Sequence, residues 1–149
     1  MEHRRVYLDH AASTPMHPAV LEEMMPYLAG PYFGNPSSVH HHGRQLRSAV
    51  EKARRTLADL LNCAPGEIIF LSGGTEADNF VLKCSVMHGG IRRIITSPLE
   101  HHAVLHAGET LQKHQGIDYK LLSVDALGRI DTGELRRLLA EKADMPTLV

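Results

Sequence analysis

The stretch LSGGTEADN, residues 71–79, concentrates groups that handle anions. Its two glycines let the backbone approach a ligand closely. A threonine follows where an apolar run gives way to a helical pattern. A helix start presents unsatisfied N–H groups and about half a positive charge. Gly74 and Thr75 are therefore placed to hold a phosphate. Glu76 and Asp78 oppose this, because carboxylates repel an anion unless a cation sits nearby. An equally simple reading makes Thr75 an N-cap and the two acids complements to the helix dipole. The stretch is neither GxGxxG nor GxxxxGKS/T, so the common nucleotide loops do not account for it.

Histidine is the other chemical feature, with 11 in 149 residues. His101 opens a helical pattern, where an imidazole can make a structural hydrogen bond, stack on a flat ring or move protons near neutral pH. His102 and His106 are four apart, a spacing that zinc sites use. HExxH is absent and no third ligand is evident, so they read as ordinary helix surface. His40, His41 and His42 read as a solvated loop, since adjacent loop residues rarely converge on one ion. No metal site is expected. Cys63 and Cys84 form no CxxC pair and read as small core residues rather than reactive thiols.

These residues need a scaffold that alternates in period. Residues 6–8 and 67–71 (EIIFL), 91–96, 119–124 and 147–149 read as strands. Residues 16–28, 43–61, 75–87, 101–114 and 131–142 read as helices. The helix at 43–61 is the clearest, with Leu46, Ala49, Val50, Ala53, Leu57, Leu60 and Leu61 on one face. Asp131 followed by Glu134 resembles a capping box. Residues 31–38, PYFGNPSS, read as an ordered loop. Strands alternating with helices predict an α/β fold with a mostly parallel sheet covered on both faces, a three-layer α/β/α arrangement.

Composition excludes several classes. The apolar fraction of 43% and charged fraction of 22% are those of a globular domain, and the net charge of −1 is mixed along the chain. Neither a nucleic-acid surface nor a membrane surface is indicated. No apolar run approaches the ~18 residues of a membrane span, and the N-terminus lacks a signal-peptide core. Two cysteines without a disulfide framework suit a reducing, cytoplasmic setting. The sequence stops inside what should be a buried strand, so a truncated piece is expected.

Four stretches in this order, YLDHAASTP (7–15), FGNPSSVHHHG (33–43), LSGGTEADN (71–79) and SPLEHHAVL (97–105), resemble the N-terminal part of the pyridoxal-phosphate-dependent cysteine desulfurases of the class V aminotransferase superfamily. The resemblance runs from about residue 6 to residue 149. It implies that residues 1–15 are an N-terminal active-site segment and residues 16–149 an incomplete cofactor-binding large domain. It implies that Gly74 and Thr75 hold the cofactor phosphate and that His101 lies over the pyridine ring. Asn35 falls in a loop near the substrate end of the site, and His40 matches a position in the same loop. Ser13 stands where the family usually has threonine. The resemblance further implies L-cysteine as substrate, L-alanine as product, a sulfur-acceptor protein, and a homodimer in the full-length family. The imine-forming lysine, the aspartate facing the ring nitrogen and the sulfur-accepting cysteine would lie beyond Val149, so the chain alone is expected to be inactive. Selenocysteine lyase and a non-catalytic phosphate-binding βα module are the alternatives.

Overall fold

The computed structural model describes residues 5–149, in two compact units divided after Ile69. In the first unit, α1 (Pro18–Leu28) and α2 (His41–Leu61) are joined by the glycine- and proline-rich loop. His17 and His40 cap these helices, each accepting a backbone N–H at Nδ1, from Ala19 and Gly43. The expected loop histidines thus belong to the start of α2, with His42 stacked on Phe33 at 4.6 Å between ring centres. The apolar face expected of α2 is largely uncovered: its buried residues are Gly43 and Ala58, while Leu60 and Leu61 are 78% and 66% exposed. Two helices cannot cover one another's full stripes, and this unit contributes no sheet among the described residues.

Residues 6–8 and 67–71 do not form the strands that their composition suggests. Pro65–Glu67 closes a 3-10 turn, and residues 68–71 are not assigned to a strand among the described residues. Extended backbone becomes a strand only when a neighbour supplies the pairing N–H and C=O groups. Tyr7 instead ties the segment at 7–13 into a turn, its hydroxyl meeting Ser13 Oγ at 2.9 Å and donating to the Asp9 carbonyl at 2.8 Å.

The second unit alternates as expected. It runs α3 (Gly74–Met87), β1 (Arg93–Thr96), α4 (His102–Gln115), β2 (Asp118–Leu121), α5 (Thr132–Glu141) and β3 (Thr147–Leu148). The sheet order is β2-β1-β3, all parallel, with Arg93 opposite Asp118 and Thr147. Ile94 packs with Leu82 and Val86 of α3, Ala107 and Leu111 of α4, and Ile117 and Tyr119. Neighbouring strand residues point to opposite faces. Arg93 accordingly reaches the other way and donates from Nη1 to the Leu138 carbonyl of α5 at 2.6 Å. Helices thus lie on both faces of this small sheet.

Arg93 is 2% exposed, and a buried guanidinium requires a counter-charge. Asp118 provides it, 3.3 Å from Arg93 Nε, although the angle there leaves Nε without a true hydrogen bond. Asp118 also accepts from Lys142 at 2.8 Å and lies 3.4 Å from Lys120. The Lys142 hydrogen bond holds its carboxyl below the ordinary range, with Lys120 adding to the effect against the opposing cost of burial. The capping box at α5 is half formed. Asp131 accepts from the Gly133 and Glu134 N–H groups, but Glu134 turns to the Ser123 N–H at 2.7 Å.

Two stability predictions follow from this packing. A Cβ at Gly108 would overlap the Tyr119 ring. Gly108→Ala is expected to destabilise the chain by about 1–3 kcal/mol in urea denaturation, as overpacked cores do. A carboxyl with a depressed folded-state pKa adds stability above its unfolded value, near ~3.9, and loses it as pH falls through the folded value. Asp118→Asn should therefore flatten the acid limb of a stability-against-pH curve measured from pH 6 downward.

Candidate functional site

Helix α4 opens at His101. It is the N-cap, and its Nδ1 accepts the Ala103 N–H at 3.1 Å. That bond leaves Nε2 as the protonated nitrogen of the neutral ring. Helix α3 begins differently. Its N-cap is Gly73, which has no side chain, so Thr75 is the second residue of the helix rather than its cap. The N–H groups of the first turn have no intrahelical acceptor and no side-chain cap. A Cβ at Gly73 or Gly74 would meet nothing within 4 Å, so this backbone borders open space.

Thr75 and His101 line one cleft of about 380 Å³ together with Asn79, Lys83, His102, Ala103, His106, Ala107 and Thr110. None of the described residues lining it is a carboxylate. Of the two acids that argue against an anion, one keeps its charge at the helix start and the other faces elsewhere. Glu76 accepts from the Ser72 N–H and hydroxyl, both at 2.7 Å, and these bonds hold its carboxyl below the ordinary range. Asp78 lines a separate cleft with Val81, Ile94 and Leu148. The cleft is therefore rich in hydrogen-bond donors and positive charge: the helix start, the Thr75 hydroxyl, the Lys83 ammonium and three imidazoles. Such a donor set, beside a flat ring at His101, fits a phosphate carried on an aromatic group.

Sequence reasoning singled out Thr75, Gly74 and His101, and the structure brings Thr75 and His101 to the same cleft, with Gly74 in the adjacent turn. It did not single out Asn79 or Lys83. Their spacing of four along α3, in step with Thr75, was the available signal. Asn35 lies in the first unit, where its Oδ1 accepts the Ser37 N–H at 2.8 Å and its carbonyl the Ser38 N–H at 3.0 Å. It closes its own loop, and a Cβ at Gly43 would collide with that loop's backbone. His102 and His106 stack at 5.1 Å between ring centres. Among the described residues no group of three or more His, Cys, Asp or Glu side chains is placed to hold a metal ion. Cys63 and Cys84 are half-buried free thiols. No helix of the described residues is long and apolar enough to cross a membrane.

These elements define an α/β domain built on a small parallel sheet. Residues 6–148 match the family model described as Aminotransferase class-V, and the chain belongs to that family. It is 44% identical over 138 residues to a cysteine desulfurase IscS of Dictyoglomus turgidum, covering 91% of this chain and 34% of that protein. Among solved structures, a NifS-like protein superposes with a TM-score of 0.80 at 38% identity, over 91% of this chain and 37% of that one. Another, SspA in complex with cysteine, superposes with a TM-score of 0.77 at 34% identity, over 88% of this chain and 38% of that one. The chain spans little more than a third of the length of the relatives it matches.

The cap and the ring of His101 can be separated. His101→Ala is expected to cost about 1 kcal/mol of stability through the lost cap. His101→Asn keeps a capping acceptor and should restore most of it. Equal urea midpoints for wild type and His101→Ala would show that the cap is idle.

Proposed function

We propose that this chain is the phosphate-holding part of a pyridoxal-phosphate-dependent cysteine desulfurase. The activity of the family-length protein would convert L-cysteine to L-alanine and pass the sulfur to an enzyme thiol as a persulfide. The observation that carries the reading is the cleft shared by the uncapped start of α3 and the His101 ring. The same reading carries the sulfur-acceptor protein, the supply of iron–sulfur cluster assembly, a homodimer and a cytoplasmic setting. It also makes residues 1–15 an active-site segment and residues 16–149 part of the large domain, with Asn35 toward the substrate.

In this reading the bound cofactor supplies an electron sink for the substrate α-carbon. The chain's own residues do the positioning. The N–H groups at Gly74 and Thr75 and the Thr75 hydroxyl fix the phosphate. His101 offers a flat face for stacking, and its Nε2 is the atom through which a proton is held or moved, because Nδ1 is committed to Ala103. Lys83 adds positive charge to the same cleft.

Magnitudes set the expected affinity. A helix start contributes up to ~2 kcal/mol to an anion in a favourable site. Micromolar binding requires about 8 kcal/mol. The chain alone is therefore expected to bind pyridoxal 5′-phosphate more weakly than micromolar and to release no sulfide from cysteine. In a titration of the isotope-labelled chain, the Gly74 and Thr75 amide signals and the His101 imidazole signals should shift together. Thr75→Val should weaken the binding about 3- to 10-fold by removing one hydroxyl. Equal response to ATP at these residues would favour a general phosphate-binding module. Silence at Gly74 and Thr75 would sink the cofactor reading.

A further inference from the structure

Asn79 lies one turn beyond Thr75 on α3, half-buried, and its side chain reaches two helices at once. Nδ2 donates to the Thr75 carbonyl at 3.0 Å and to the Ala103 carbonyl of α4 at 3.4 Å. Both partners are carbonyl oxygens, which only accept, so the chemistry fixes which end of the amide faces them. Ala103 is the residue whose N–H is held by His101 Nδ1. A continuous path thus runs from Thr75 through Asn79 and Ala103 to the His101 ring. We propose that Asn79 is a positioning residue that sets the spacing between the phosphate-holding turn of α3 and the His101 imidazole; this rests on the cofactor reading above.

The two carbonyls do not depend on Asn79 for satisfaction. Each lies inside a helix, where the N–H four residues on already donates to it, and a carbonyl has two lone pairs. Removing the Asn79 amide therefore leaves no orphaned acceptor. What is lost is a cross-brace between two helix starts. This separates the proposal from a purely structural role, in which stability falls and ligand geometry is unaffected.

Two variants test it. Asn79→Leu keeps the volume and removes the donors. Asn79→Ser can still reach back to the Thr75 carbonyl four residues earlier, but is too short for Ala103. The probe is pyridoxine 5′-phosphate, which lacks the aldehyde and so forms no imine with Lys83. In the wild-type chain the Gly74 and Thr75 amides and the His101 imidazole should titrate with one apparent Kd. Both variants are expected to bind about tenfold more weakly and to lose the His101 response, with melting temperatures within about 3 °C of wild type. Wild-type affinity and an unchanged His101 response in the variants would overturn the proposal, whatever their melting temperatures. Should Asn79→Leu fail to fold, Asn79→Ser decides by the same readings. A wild-type chain silent at Gly74, Thr75 and His101 would remove the cofactor reading and this proposal together. That outcome is distinct from one in which wild type and variants respond alike.

Discussion

The parallel pairing of β1 with β2 governs where the chemistry can lie. Parallel neighbours cannot be joined by a tight turn, so the chain returns through a helix on one face of the sheet. Helix α4 is that return, and α3 feeds β1 from the same side. Leu82 and Val86 of α3 meet Ala107 and Leu111 of α4 in one cluster, while Asn79, nearer the start of α3, meets Ala103, nearer the start of α4. The two helices therefore run side by side in the same sense, and their starts share an end of the sheet. Helix starts carry the free N–H groups and the positive end of the dipole. That Thr75 and His101 line the same cleft is a consequence of topology before it is a consequence of any side chain.

The opposite face has a different task. Ile94 contributes to the apolar cluster under α3 and α4, and Arg93, one residue earlier, must point the other way. A buried arginine is costly unless paired. Here the cost is met by Asp118, its register partner on β2, and by the Leu138 carbonyl of α5. Because Lys142 follows α5 and also binds Asp118, the pair of strands and the helix beneath them share one ionic anchor. The anchor stands on the face of the sheet opposite to α3 and α4.

Much of this was legible from residue types. Each of the five helices was placed by period, and three of the five expected strands, at residues 91–96, 119–124 and 147–149, form near their predicted bounds. EIIFL was not, because its β-branched residues report a preference for extended backbone and cannot report whether a neighbour exists to pair with. The α2 stripe shows the same limit: periodicity gives the face, and whether anything covers Leu60 and Leu61 is a tertiary matter. At the site, Gly74, Thr75 and His101 stood out through the four family-like stretches, since their residue types alone suit a plain turn and a helix-start histidine as well. Asn79 was silent, since its role depends on a carbonyl 24 residues away in sequence. The objection raised by Glu76 and Asp78 could not be settled from sequence either. The structure turns Asp78 to a different cleft but leaves the Glu76 carboxylate, bonded to Ser72, in the first turn of α3.

The way the helices begin sharpens the assignment of the cleft. His17, His40, His101 and Asp131 each place a side-chain acceptor over the first turn of α1, α2, α4 and α5. Only α3, among the helices described, opens without one. A helix whose free donors are met by no side chain must leave them to water or to a ligand. Thr75, in that first turn, lines a cleft with His101 in which none of the described lining residues is a carboxylate, and a Cβ at Gly73 or Gly74 would meet nothing within 4 Å. A side-chain cap at position 73 would occupy the donors that a phosphate needs.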